Sequence, residues 1–117
     1  MCKQTIPAAL AAALTLAALA DFSRAIAPDP DNKNAWRERG RAYSQRGNFD
    51  RAIADYNEAI RLDPEYAWAY NNRGVAYSQK GDYRRARADW EQALRLDPGG
   101  GGANARRNLE WLREQGH

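Results

Sequence analysis

The sequence predicts an all-α protein built from repeated helix pairs, and three observations carry that prediction. The chain matches itself without a gap at an offset of 34 residues, residues 33–66 falling on residues 67–100. Inside each matched unit the aromatic and small residues recur at helical spacing. The same turn residues recur between the helices.

The self-match is specific. Trp36 meets Tyr70, Gly40 meets Gly74, the Ala-Tyr-Ser-Gln run at 42–45 meets the same run at 76–79, and Gly47 meets Gly81. Further on, Ala52 meets Ala86, Asp55 meets Asp89, Tyr56 meets Trp90, Ala59 meets Ala93, and Leu-Asp-Pro at 62–64 meets Leu-Asp-Pro at 96–98.

Taken in order, the first element of a unit is a helix over about residues 34–46, with Trp36, Gly40 and Tyr43 on one face. Gly47 supplies a left-handed stop, and the side chain of Asn48 can cap the next helix. That second helix, about residues 49–62, aligns Ala52, Tyr56, Ala59 and Ile60 and ends before Pro64, because a residue preceding proline avoids helical backbone angles. Gly81 and Asp82 punctuate the second unit alike. Glycine inside a helix costs about 1 kcal/mol relative to alanine, so its recurrence at Gly40 and Gly74 signals close packing. The recurring aromatics are then core residues rather than a cofactor box.

These residues in this order resemble the tetratricopeptide repeat (TPR) family, over residues 33–98. The resemblance implies antiparallel helix pairs stacked into a right-handed superhelix, whose concave face, lined by first helices, binds peptides or partner helices. The chain departs from the family pattern in placing Arg39 and Arg73 where leucine is common. Asp55 and Asp89 follow in the same units, so structural ion pairs are expected.

The ends continue the pattern in part. Residues 18–32 form a half-repeat, its helix at 18–27 sharing Ala18, Ala20, Asp21, Ala25, Asp29 and Pro30 with the second helices of both units, with Phe22 in the aromatic slot. Residues 4–17 carry no first-helix signature. After the glycines at 99–102, residues 103–114 continue in phase as a cap helix, Arg107 aligning with Arg73 and Trp111 with Tyr77. Two full repeats, 33–66 and 67–100, flanked by a half-repeat and a terminal segment at 101–117, meet the roughly three units such arrays need.

Residues 1–20 support two readings. A weakly positive start, an apolar stretch at 6–20 without charge, and the small-x-small run Ala18-Leu19-Ala20 resemble an export signal, which favours an exported or periplasmic location over the cytoplasm. Against this, Leu10, Leu14, Ala18, Phe22 and Ala25 can form one helical stripe, and cleavage after Ala20 would cut it. A permanent membrane span is not expected, because the stretch falls below the ~20 residues a bilayer requires.

Composition narrows the function classes. The net charge of +3 comes from 18 basic and 15 acidic residues interspersed along the chain, too balanced for a nucleic-acid footprint. Nucleic-acid binding through Arg84, Arg85, Arg87, Arg106 and Arg107 stays as the alternative reading. Cys2 and His117 stand alone in their residue types, so no disulfide or metal cluster is expected within the chain. No residue set calls for a cofactor, a small-molecule substrate or catalysis.

The leading reading is a protein–protein interaction module, an adaptor or scaffold. By family spacing its groove is lined by Asn34, Arg37, Arg41, Ser44 and Gln45 in the first unit, and by Trp68, Asn71, Asn72, Val75, Ser78 and Gln79 in the second. Arg37 and Arg41, four apart on one helix, can hold a carboxylate through charge-assisted hydrogen bonds. Chaperone adaptors of the family use basic residues and asparagines in a comparable clamp, and Arg37, Arg41 and Asn72 resemble half of it. Ala105 and Leu109 stand near where a third unit would contribute basic residues.

Overall fold

The computed structural model describes residues 8–117, with side chains from Leu16 onward. The described residues form six helices: α1 (Ala8–Ile26), α2 (Lys33–Gln45), α3 (Phe49–Leu62), α4 (Ala67–Gln79), α5 (Tyr83–Leu96) and α6 (Gly101–Glu114).

Local chemistry sets these boundaries. The Asn32 side chain accepts from the Ala35 amide at 3.2 Å to start α2. Asn48 and Asp82 do the same for α3 and α5, through the amides of Arg51 at 3.4 Å and Arg85 at 3.2 Å. Gly47 and Gly81 take positive φ values of 79° and 82°, closing α2 and α4 with left-handed residues that a side chain would strain. α6 begins at Gly101, two residues before the expected start at 103.

α2 pairs with α3 and α4 with α5; α1 packs on α2, α4 on α3 and α6 on α5. The result is an all-α solenoid of stacked helix pairs. Each pair closes over a ring: a Cβ added to Gly40 would lie 2.5 Å from Tyr56 Cε1, and one added to Gly74 would lie 2.7 Å from Trp90 Nε1. The glycines therefore make room for an aromatic of the facing helix. Ala52, Ala59, Ala86 and Ala93 are fully buried beside them.

The other repeated aromatics sit less deeply. Trp36, Tyr43, Tyr70 and Tyr77 are half-buried, and arginines lie over them: Arg39 is 5.0 Å from the Trp36 ring and 5.7 Å from Tyr43, and Arg73 is 5.5 Å from Tyr70 and 5.9 Å from Tyr77. The same guanidinium groups make bidentate bonds into the core. Arg39 donates to both Asp55 oxygens at 2.8 Å, and Arg73 to Asp89 at 2.8 and 2.7 Å. Burial lifts the Asp89 carboxyl above its ordinary range, and Arg73 draws it part of the way back.

α1 runs unbroken through Ala18, Leu19 and Ala20, longer than the half-repeat helix expected at 18–27. It buries Leu19 and Ile26, and its Ser23 hydroxyl accepts from Arg39 at 3.3 Å. Residues 1–7, on which the export-signal reading partly rests, lie outside the described residues. No helix among the described residues is long and apolar enough to cross a membrane.

Candidate functional site

The concave side is built by α2 and α4, with the start of α6 at its end. Ties within and between the helix pairs hold these elements in place. Lys33 reaches Asp63 at 2.5 Å, and the Tyr66 hydroxyl donates to Asn34 Oδ1 at 2.6 Å. The Lys33 bond holds the Asp63 carboxyl below its usual range, and Asp63 in turn raises the Lys33 ammonium.

Arg37, Arg41, Trp68, Asn71, Asn72 and Asn104 line one open concavity of about 360 Å³. A smaller one of about 160 Å³ continues from it between Arg41, Ser44, Gln45, Tyr56, Asn72 and Val75. Arg41 and Asn72 belong to both, so the two form one groove. Asn34, Ser78 and Gln79 do not line it. Asn34 is committed to Tyr66, Ser78 is half-buried, and Gln79 lies exposed at the end of α4.

The groove floor differs from its rim. Asn71 is buried, its Oδ1 accepts from Asn108 at 3.1 Å, and its backbone carbonyl accepts from the Trp90 indole at 3.2 Å. That side chain serves the wall rather than a ligand. Trp68 and Val75 present 39% and 36% of their surface, an apolar rim above the polar floor. The Ser44 hydroxyl is buried with no hydrogen-bond partner among the described residues. Beside it the Tyr56 phenol, pushed up to about 12 by burial, stays protonated as a donor.

Glu38 completes the site, and it is absent from the residues expected by family spacing. Arg37 donates to Glu38 Oε1 at 2.6 and 3.1 Å, and Arg41 lies 3.7 Å from Oε2. The guanidinium of Arg37 also sits 5.6 Å from the Tyr66 ring centre. One carboxylate thus bridges the two arginines of the groove. The spacing was available, since Glu38 stands next to Arg37 and three before Arg41.

The arginines of the alternative reading are scattered among acids. Arg85 pairs with Asp82 at 3.3 Å, and Arg87, Arg106 and Arg113 line a shallow surface with Glu91 and Glu110.

Comparison with known proteins fits this geometry. Two family profiles match, described as TPR repeat over residues 40–81 and Tetratricopeptide repeat over residues 67–99. No curated protein sequence matches the chain. The fold is similar to the Arabidopsis OM64 TPR domain (27% identity, TM-score 0.82, covering 92% of this chain and 88% of that one). It is similar to the second TPR domain of human RPAP3, solved in complex with the HSP70 peptide SGPTIEEVD (30% identity, TM-score 0.74, covering 81% and 78%). It is also similar to the first TPR of Spaghetti (RPAP3), solved bound to the HSP90 peptide SRMEEVD (27% identity, TM-score 0.76, covering 83% and 75%). With its repeat register, its helix pairs and these matches in agreement, the chain belongs to the tetratricopeptide repeat family.

Proposed function

We propose that the concave groove binds a short segment of another polypeptide bearing an acidic group, so that the protein acts as a small adaptor. The observation that carries this reading is the convergence of Arg37, Arg41, Trp68 and Asn72 on one concavity. Two guanidinium groups offer charge-assisted donors, Asn72 adds amide hydrogen bonding, and Trp68 offers the flat apolar anchor on which interface energy tends to concentrate. The peptides in the RPAP3 structures carry consecutive glutamates near their ends, which is the chemistry these donors would meet.

Glu38 sets the terms of recognition. It pairs with both arginines, so an incoming carboxylate must displace it or share them. Either way the gain from the arginines is reduced, which selects for a ligand with further contacts to Trp68 and Asn72. The contact area offered by two full repeats is small, and micromolar affinity or weaker is expected.

Titration of acidic and neutral peptides of equal length, followed by calorimetry and tryptophan fluorescence, tests the reading. The acidic peptide should bind more tightly. The double variant Arg37→Ala, Arg41→Ala should lose roughly tenfold in affinity for the acidic peptide and little for the neutral one. Equal binding of both peptides by both proteins would overturn the acidic preference and leave the fold untouched.

A further inference from the structure

Each complete repeat locks its two helices with the same device, an arginine on the first helix that reaches an aspartate sixteen residues later on the second. The first and the last described helices carry one half of that device each. Arg107, on α6, stands in the register of Arg39 and Arg73; Asp21, on α1, stands in the register of Asp55 and Asp89. Within the described residues Arg107 bonds only the Asn104 side chain of its own helix. Among the described residues Asp21 meets only Arg24, at 3.4 Å, with side chains 72% and 80% exposed.

The surroundings of the two charges match as well. Trp111, in the register of Tyr43 and Tyr77, is 43% exposed. Ala25 is exposed where Ala59 and Ala93 are fully buried, and Phe22 is half-buried where Tyr56 and Trp90 are buried. α6 also ends in the same kind of left-handed stop as the first helices, one residue later in the register. Gly116 takes φ 84°, and the amide of His117 donates to the carbonyl of Leu112, five residues back, as Asn48 does to Tyr43 and Asp82 to Tyr77. Among the described residues α1 packs on α2 alone, so none of them covers the face it would turn toward a first helix.

We infer that α6 of one copy docks on α1 of a second copy, Arg107 pairing with Asp21, so that the two ends together make one further helix pair. The contact is head-to-tail: each copy keeps a free α1 or a free α6, and association runs to open chains rather than closed dimers. It is also weak. Asn108 stands where Gly40 and Gly74 stand in the complete repeats, so the Phe22 ring cannot seat as deeply as Tyr56 or Trp90 does. This association is separate from ligand binding in the groove.

Sedimentation equilibrium of the full chain over a range of concentrations tests the inference. The average mass of the parent should rise with concentration. Asp21→Arg and Arg107→Asp, each studied alone, should keep circular dichroism unchanged, since both side chains are exposed, and should associate at least about tenfold more weakly. Mixing the two variants should restore association, because each then offers the other a complementary end. A parent that stays single at every concentration, variants that associate like the parent, or a mixture no better than its components would each overturn the proposal.

Discussion

The two complete repeats share a frame and differ in the face they turn to the groove. In both, a glycine admits the aromatic of the facing helix, alanines line the contact, and a bidentate arginine–aspartate pair seals one side. On the concave side α2 carries Arg37, Glu38 and Arg41, whereas α4 carries Asn71, Asn72 and Val75 at the same repeat positions. What recurs is what packing requires, and what fails to recur is free to recognise a partner. A groove with charge at one end and amides with tryptophan at the other results from that division.

The strongest test of the shared frame removes the seals one at a time. Arg39→Met and Arg73→Met should each destabilise by about 3 kcal/mol in denaturant melts, because each leaves a buried carboxylate without its partner. Near-equal losses would support equivalent repeats. A much smaller loss for Arg39 would show that the first repeat, with α1 in place of a full repeat on one side, contributes less to the cooperative unit.

A smaller difference separates the two glycines. Gly40→Ala and Gly74→Ala should each cost about 1–3 kcal/mol by overpacking. Gly74→Ala should cost more, because the Ala86 carbonyl, at 3.2 Å, is among the three atoms nearest its new methyl, while the three nearest a methyl on Gly40 all belong to the Tyr56 ring. A ring can tilt; a helix carbonyl cannot move without its helix. Reversal of the order in thermal melts would place the rigid contact in the first repeat instead.

The charged end of the groove can be sharpened without touching the frame. Glu38→Gln should tighten binding of an acidic peptide by a few-fold, since half-exposed ion pairs are worth less than about 1 kcal/mol and the competitor is then neutral. Calorimetry of parent and variant reads this directly. Unchanged affinity would mean that Glu38 does not compete with the ligand.

The smallest effect concerns the turns after the two repeats. Asp63 is held below its usual range by Lys33, and Asp97 by the backbone amides of Gly100 and Gly99. A depressed carboxyl in the folded state adds stability above the unfolded value, and that stability is lost as pH falls through the folded value. The loss should therefore set in below about pH 4. Lys33 has the opposite sign: raised in the folded state, it adds stability at neutral pH that is lost only as pH climbs through its folded value, in the strongly alkaline range. Asp63→Asn and Asp97→Asn should each flatten the acid limb of a stability–pH curve slightly, and only Asp63→Asn should also flatten the alkaline one.

Much of the frame was legible because it is local. Gly47, Asn48, Gly81 and Asp82 act through bonds to neighbours within a few residues, and α3 spans the residues its spacing implied. The Arg39–Asp55 and Arg73–Asp89 pairs were legible because repetition displayed each twice. The groove was less so. Asn71 is buried because α6 and Trp90 both reach it, a matter of how helices from different units meet. Glu38 was legible from its spacing to Arg37 and Arg41, but the clamp that the family resemblance implies is made of basic residues and asparagines and has no place for an acid. The start of α6 at Gly101 was hidden because glycines read as turn residues.

Those last glycines bear on how such a chain can change in length over generations. Gly101 and Gly102 are buried, and a Cβ on them would strike the backbone of Trp68 and the carbonyl of Asp97. The equivalent positions at the preceding junction are Ala67 and Trp68. A duplicated 34-residue segment inserted between the two complete repeats would meet familiar neighbours on both sides. Duplicating residues 65–98 gives the same chain whether the copy is placed before Glu65 or after Pro98, and in either case Gly101 and Gly102 stay at the start of the last helix. Growth by duplication thus adds repeats behind the glycine junction and leaves that junction as it is, whereas the alanine and tryptophan of the inner junction, put in place of Gly101 and Gly102, would strike backbone.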